Sequence, residues 1–190
     1  MTQKKYELLK NNTITAPNGK TLYRIKALID FGVVVAGSLG GYIEKEDNLA
    51  HTGNAWVYGN AWVSDNAWVS GNARVYGNAR VYGNARVYGD AEVYGNARVY
   101  GNARVYGDAE VSGNADLVWF SKVGTEQGTL TVYKSKDGSL LATRGCFSGT
   151  VDEFLAKSAE VHNERIKREY RLLIEVAKSR LLGESYVPTL

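Results

Sequence analysis

The chain has 190 residues, of which 44% are hydrophobic and 23% charged, with a formal net charge of +3. That is ordinary globular composition with room for one domain plus appendages, and it makes neither nucleic acid nor a membrane an expected partner. A single cysteine, Cys146, excludes an intrachain disulfide, and the opening Met-Thr-Gln-Lys-Lys lacks the apolar run of a signal peptide, so a reducing cytoplasm is the expected setting.

In chain order, residues 13–15 and 21–25 are β-rich runs separated by Ala-Pro-Asn-Gly-Lys, where Pro17 and Gly19 supply the turn of a hairpin. Residues 31–49 follow, with the apolar run Val33-Val34-Val35 and then Gly37, Gly40 and Gly41. A phosphate-cradling loop would need the spacing of a P-loop or of G-x-G-x-x-G, and this stretch has neither. It is read as an irregular first coil that needs tight turns, so that residues 1–51 form an N-terminal β cap.

Residues 52–117 divide without a gap into six-residue units, most of them close to G-N-A-R-V-Y. A strict short period signals a solenoid. Each unit pairs an alternating four-residue segment, such as Ala79-Arg80-Val81-Tyr82, with a Gly-Asn or Gly-Asp break. Alternation puts Ala and Val on an inner face and the variable residue and Tyr outside, while the break accepts the positive φ that bends the chain. The aliphatic-to-small spacing, Val81 to Ala85, resembles the hexapeptide repeat. That resemblance implies a left-handed parallel β-helix, against the usual crossover preference, with three units per eighteen-residue coil and three to four coils.

Stepping by eighteen gives three columns. The first reads Trp56, Arg74, Glu92, Glu110; the second Trp62, Arg80, Arg98, Asp116; the third Trp68, Arg86, Arg104. Each Trp then has an Arg neighbour, a cation-π arrangement worth about 0.5–2 kcal/mol, and the indoles need cover from the N-terminal hairpin or another subunit. Asp90, Glu92, Asp108 and Glu110 crowd onto one face, which requires solvation or an opposite charge opposite them. Outward tyrosines form a second set of ladders: Tyr58, Tyr76 and Tyr94; Tyr82 and Tyr100; Tyr88 and Tyr106.

After Leu117 the hexad fails, and residues 118–149 are read as a last coil and a hairpin, with runs at 129–133 and 140–144 around the Asp137-Gly138 turn. Residues 150–190 are read as a helical segment. Thr150 and Glu153 make a capping box, Asn163 restarts the helix, and Ile166, Tyr170, Leu173, Ala177 and Leu181 form a stripe up to Gly183, for packing on the prism or between subunits.

Three flanking segments, T-L-Y-R-I-K-A-L-I-D-F-G at 21–32, G-G-Y-I-E-K-E-D-N-L at 40–49 and R-G-C-F-S-G-T-V-D-E-F at 144–154, resemble those of phage- and prophage-encoded hexapeptide-repeat proteins, often labelled acyltransferases on the repeat alone. The resemblance implies a mainly β fold and a homotrimer. An acyltransferase of this kind uses a coil histidine as general base, yet no hexad contains one; His51 and His162 lie outside and read as structural, and two histidines do not make the three-histidine zinc site of this fold. No metal or cofactor is expected. The favoured expectation is a non-catalytic homotrimer, a phage accessory protein against host defence that sequesters a nucleotide-like anion in the grooves between subunits; the alternatives are an inhibitor that binds a host defence protein and an acyltransferase using an atypical base. Candidate ligand residues are Arg74, Arg80, Arg86, Arg98 and Arg104 with Tyr82, Tyr88, Tyr100, Tyr106, Trp62 and Trp68, guanidinium for phosphate and ring for base. Candidate subunit-interface residues are Asp90, Glu92, Asp108, Glu110, Tyr170, Leu173 and Leu181.

Overall fold

The computed structural model describes residues 3–183, so the last residues of the expected helical segment, 184–190, lie outside the described residues. Three strands come first: β1 (Tyr6–Thr15), β2 (Thr21–Ala27) and β3 (Leu39–Ile43). Ten two-residue strands follow: β4 (Trp56–Val57), β5 (Trp62–Val63), β6 (Trp68–Val69), β7 (Arg74–Val75), β8 (Arg80–Val81), β9 (Arg86–Val87), β10 (Glu92–Val93), β11 (Arg98–Val99), β12 (Arg104–Val105) and β13 (Glu110–Val111). The C-terminal part holds β14 (Leu117–Val123), β15 (Gly128–Lys134), β16 (Leu140–Arg144), β17 (Phe147–Thr150), α1 (Val151–Val161) and α2 (Glu164–Leu182).

The short strands stack as three parallel ladders, β4-β7-β10-β13 on the first face, β5-β8-β11 on the second and β6-β9-β12 on the third. Every rung is a step of eighteen residues, as in Trp62↔Arg80↔Arg98 and Trp68↔Arg86↔Arg104. The strands are shorter than the alternation predicts, because each break turns at a residue of positive φ, Gly83 at 71° for instance, and leaves only the variable residue and Val in the ladder. Asp65 takes this position at φ 59°, and its carboxylate accepts the Gly83 N–H at 3.0 Å and pairs with Lys20 at 2.7 Å. Between the ladders, side-chain amides run head to tail, Asn54 to Asn72 to Asp90 and Asn66 to Asn84 to Asn102. The interior is only Ala and Val, at most 1% exposed from Ala55 to Val111 apart from the outward positions. The second column departs from its expected content at the end: Asp116 leaves the ladder and folds back on Ser112, Gly113 and Lys134.

An open ladder leaves backbone groups unpaired at both ends, and buried ones must find partners. At the start, each face solves this differently. The Ala55 carbonyl accepts from Lys5 Nζ at 2.8 Å, the Ala61 carbonyl from the Tyr42 N–H of β3 at 3.0 Å, and the Ala67 carbonyl from Asn48 Nδ2 at 2.9 Å. At the far end, the Arg98 N–H donates to Asn114 Oδ1, the Arg104 N–H to Thr131 Oγ1 and the Tyr106 N–H to the Tyr133 hydroxyl. Asn114 from the last repeat unit, with Thr131 and Tyr133 from the cap sheet, thus stands where a further coil would.

The N-terminal hairpin is longer than its sequence signal. β1 reaches back to Tyr6 across a register shift between Leu9 and Thr13, where the polar Lys-Asn-Asn run hides the alternation. Through β3, which is antiparallel to β2 and parallel to β5, the hairpin extends the second face into a six-stranded sheet. It covers two indoles. Trp56 is buried against Tyr6 and Phe31, and Trp62 lies among Ala16, Leu22 and Tyr42. Trp68 stays 40% exposed.

Lys5 is buried in this end, and burial pushes its pKa down to about 8 from 10.5. Between those values the unfolded chain holds a proton that the folded chain has released, so stability rises with pH across that window. Tyr6 acts oppositely: burial, then the charges of Glu46 and Asp47, hold its phenol above the usual 10.0, so above that pH stability falls. Denaturation midpoints at about pH 7, 9.5 and 11 should pass through a maximum at the middle value. Lys5→Met should lose the rise and keep the fall.

At the C-terminus, β14 to β17 form an antiparallel meander rather than a single hairpin. The helices pack on it: Val123, Leu130, Val132 and Ala142 meet Phe154, Ile166, Tyr170 and Ile174. The helical stripe therefore faces the chain's own cap. Tyr170 and Leu181 are buried there, at 1% and 6%, which removes them from the expected subunit surface, and Ile174 rather than Leu173 fills the central core position. The Thr150 hydroxyl accepts the Glu153 N–H and the Glu153 carboxylate accepts the Thr150 N–H, and α2 ends at Gly183 with φ 72°. Thr150→Ala should cost about 1 kcal/mol, which thermal denaturation would read as a fall of about 2–4 °C.

Candidate functional site

The third face brings two arginines of the solenoid beside one of the cap. Arg86 on β9 and Arg104 on β12 are register neighbours, one coil apart. Arg144 closes β16 beside them, because the Thr143 hydroxyl donates to the Arg104 carbonyl at 2.8 Å and Arg104 Nη1 donates to the Gly145 carbonyl at 3.2 Å. These three arginines, with Asn84, Asn102 and residues 127–129, line a cleft of about 340 Å³ between solenoid and cap. Arg144 is firmly seated: its Nη2 donates to the Val123 carbonyl at 3.0 Å, and its side chain is 10% exposed. Its only carboxylate neighbour among the described residues, Glu126 at 3.7 Å, is 82% exposed and so screened by water. Three guanidiniums against one solvated carboxylate make a site suited to an anion with several oxygens. Trp68, exposed below Arg86 in the same column, adds a flat apolar surface.

The other candidate residues are distributed differently. On the second face Arg80 lies over the Trp62 ring at 5.7 Å, but Trp62 is 9% exposed and presents little surface to a ligand. That pair is the one cation-π contact among the described residues that realises the Trp-Arg columns. Tyr82 and Tyr100 stack in parallel at 5.0 Å, and Trp119, absent from the expected set, meets Tyr100 edge-on at 4.5 Å. Arg98 is exposed on the same face. Tyr88 and Tyr106 stack at 4.6 Å, tilted by 31°.

On the first face Arg74 stands between Trp56 and Glu92, apart from the other arginines. The acidic column finds partners inside the chain. Glu92 accepts from the Tyr76 hydroxyl at 2.9 Å and pairs at 3.0 Å with Lys136, which arrives from the cap hairpin. Burial works against its charge, but hydrogen bonds from Lys136 and Tyr76 outweigh that and hold the carboxyl below its ordinary range. Tyr94 donates to Glu110, and that bond, followed by burial, raises the phenol. Asp90 accepts from Asn72 at 2.9 Å, and Asp108 lies at the exposed end of the column.

His51 stacks on Tyr6 at 4.4 Å and its Nδ1 accepts the Lys5 N–H, while His162 stands against Tyr170 at 5.5 Å. Among the described residues there is no group of three or more His, Cys, Asp or Glu side chains placed to hold a metal, and no helix long and apolar enough to cross a membrane.

Residues 55–71, 67–81, 79–95, 91–107 and 97–113 match the family model described as the YdcK beta solenoid repeat. No curated protein matches the chain. Sequence period, stacked ladders and family model agree, and the chain is a repeat β-solenoid protein whose coils are similar to that repeat.

Proposed function

We propose that this solenoid is a non-catalytic binding protein that captures a phosphate-bearing, nucleotide-like small molecule. The observation that carries the reading is the convergence of Arg86, Arg104 and Arg144 on one cleft, with Trp68 in the same column to stack a base. Bidentate guanidinium contacts to phosphate supply affinity, and the partly enclosed cleft strengthens them by limiting water. In line with the phage resemblance, such capture would act in a host cytoplasm, where removing a nucleotide-like signal or cofactor would blunt a defence.

Calorimetry against cyclic nucleotides, dinucleotides and inorganic phosphate tests this. Micromolar or tighter binding of at least one nucleotide, weakening with salt, is expected; no heat from any member overturns the reading. Turnover of acetyl-CoA in the same preparation would instead favour an acyltransferase.

Three parallel prisms complete the proposal, with Asp90, Asp108 and Glu110, the members of the acidic face that have no cation beside them within the chain among the described residues, against Arg80 and Arg98 of the next. Glu92→Arg with Glu110→Arg is then expected to reduce the mass in light scattering to that of one chain, and an unchanged mass would remove this pairing.

A further inference from the structure

The C-terminal cap holds a separate cavity of about 300 Å³, between the β16–β17 turn and the helices. Part of its wall is a chain of rings: Phe147 meets Phe154 edge-on at 5.3 Å, Phe154 meets Tyr170 at 4.9 Å, and His162 stands against Tyr170. Three of its lining residues carry a buried side-chain nitrogen or oxygen without a hydrogen-bond partner: Arg144 Nε, Ser158 Oγ and His162 Nδ1. Ser158 as a whole is 3% exposed and the Arg144 side chain 10%. Six such orphaned atoms occur among the described residues, and three of them belong to residues that line this one cavity. A buried polar group left unpaired is costly and rare, so this clustering points to a partner from outside the chain.

The donors define that partner. Arg144 Nε–H and the Ser158 hydroxyl donate, the His162 ring can do so, and Lys157 at the rim adds positive charge. The only lining carboxylate, Glu126, is mostly in water. An anionic head is favoured, attached to a body that suits aromatic walls. A singly charged carboxylate leaves water at lower cost than a doubly charged phosphate, and the volume corresponds to about ten water-sized groups. We propose that the cap cavity binds a small aromatic monocarboxylate, its head against Arg144, Ser158 and His162 and its ring against Phe147 and Phe154.

This site is independent of the arginine cleft except that Arg144 and Gly145 border both, so the test leaves both intact and follows neither. The full chain is titrated with phenylacetate and its neutral isostere phenylacetamide while backbone amide resonances are followed. Saturable shifts at Phe147, Ser158 and His162 are expected, with the amide binding at least about tenfold more weakly. Ser158→Ala and His162→Leu, both close in volume to the original, should each weaken phenylacetate about tenfold and leave nucleotide affinity at the arginine cleft unchanged. Absence of saturable shifts, equal affinity for the amide, or unchanged affinity in both variants would overturn the proposal. Because the two ligands report on different resonances, failure here and failure of nucleotide capture are distinguishable.

Discussion

Gly41→Val is expected to lower the melting temperature by about 10 °C, through a cost of about 3–5 kcal/mol. A Cβ at Gly41 would lie 2.4 Å from the Ala61 carbonyl oxygen and 2.7 Å from Val57 Cγ1. Neither can give way. The carbonyl is held by the Tyr42 N–H at 3.0 Å, and Val57 is fully buried in the core of the first coil. The added side chain must therefore push β3 off β5, which breaks the six-stranded sheet and uncovers Trp62. Gly59→Ala is the control: nothing lies within 4 Å of its added Cβ, so only the φ of 59° is penalised, by about 1–2 kcal/mol. Circular dichroism on both variants reads the difference, and a Gly41→Val protein melting within about 2 °C of the parent would contradict the close approach.

The combined change Arg86→Ala and Arg104→Ala is expected to weaken nucleotide binding at least about 100-fold, since each charged hydrogen bond contributes about 1.5–3 kcal/mol. Folding should survive, because Arg86 is exposed and the Arg104 backbone bonds to Thr131 and Thr143 do not need its side chain. Lysine at both positions restores charge without the planar fork and should recover part of the affinity. Trp68→Ala separates the two halves of the ligand: nucleotide affinity should fall several-fold while inorganic phosphate binding is unchanged. Loss of both in equal measure would show that the indole supports the cleft and does not stack a base.

The solenoid was legible because its information is periodic. The six-residue period stands in the sequence itself, the resemblance to the hexapeptide repeat supplies the count of eighteen that puts Trp68, Arg86 and Arg104 in one column, and the ladder has that register. The partners of those columns were hidden. Lys136 neutralises Glu92, and Arg144 completes the cleft, from strands and turns of a meander whose pairing depends on long-range contacts. The outer strands of that meander carry weak signals: Phe-Ser-Gly-Thr has little β character, and Val118-Trp119-Phe120 reads equally well as the end of a coil. Helical spacing allows both Leu173 and Ile174 on one stripe, and only the shape of the cap sheet selects the isoleucine. The orphaned atoms around the cap cavity have no local signature at all.

The side-chain caps at the two ends touch only the first and last coils, and between them one coil is interchangeable with the next. Excising residues 73–90 would join Asn72 to Ala91 in the same phase and shorten the prism by about 4.8 Å, with both ends still satisfied. Length is therefore a free variable of this architecture. Duplication or loss of an eighteen-residue block changes how many arginines lie between Trp68 and Arg144, so the reach of the binding cleft can be retuned in single steps without redesigning a core.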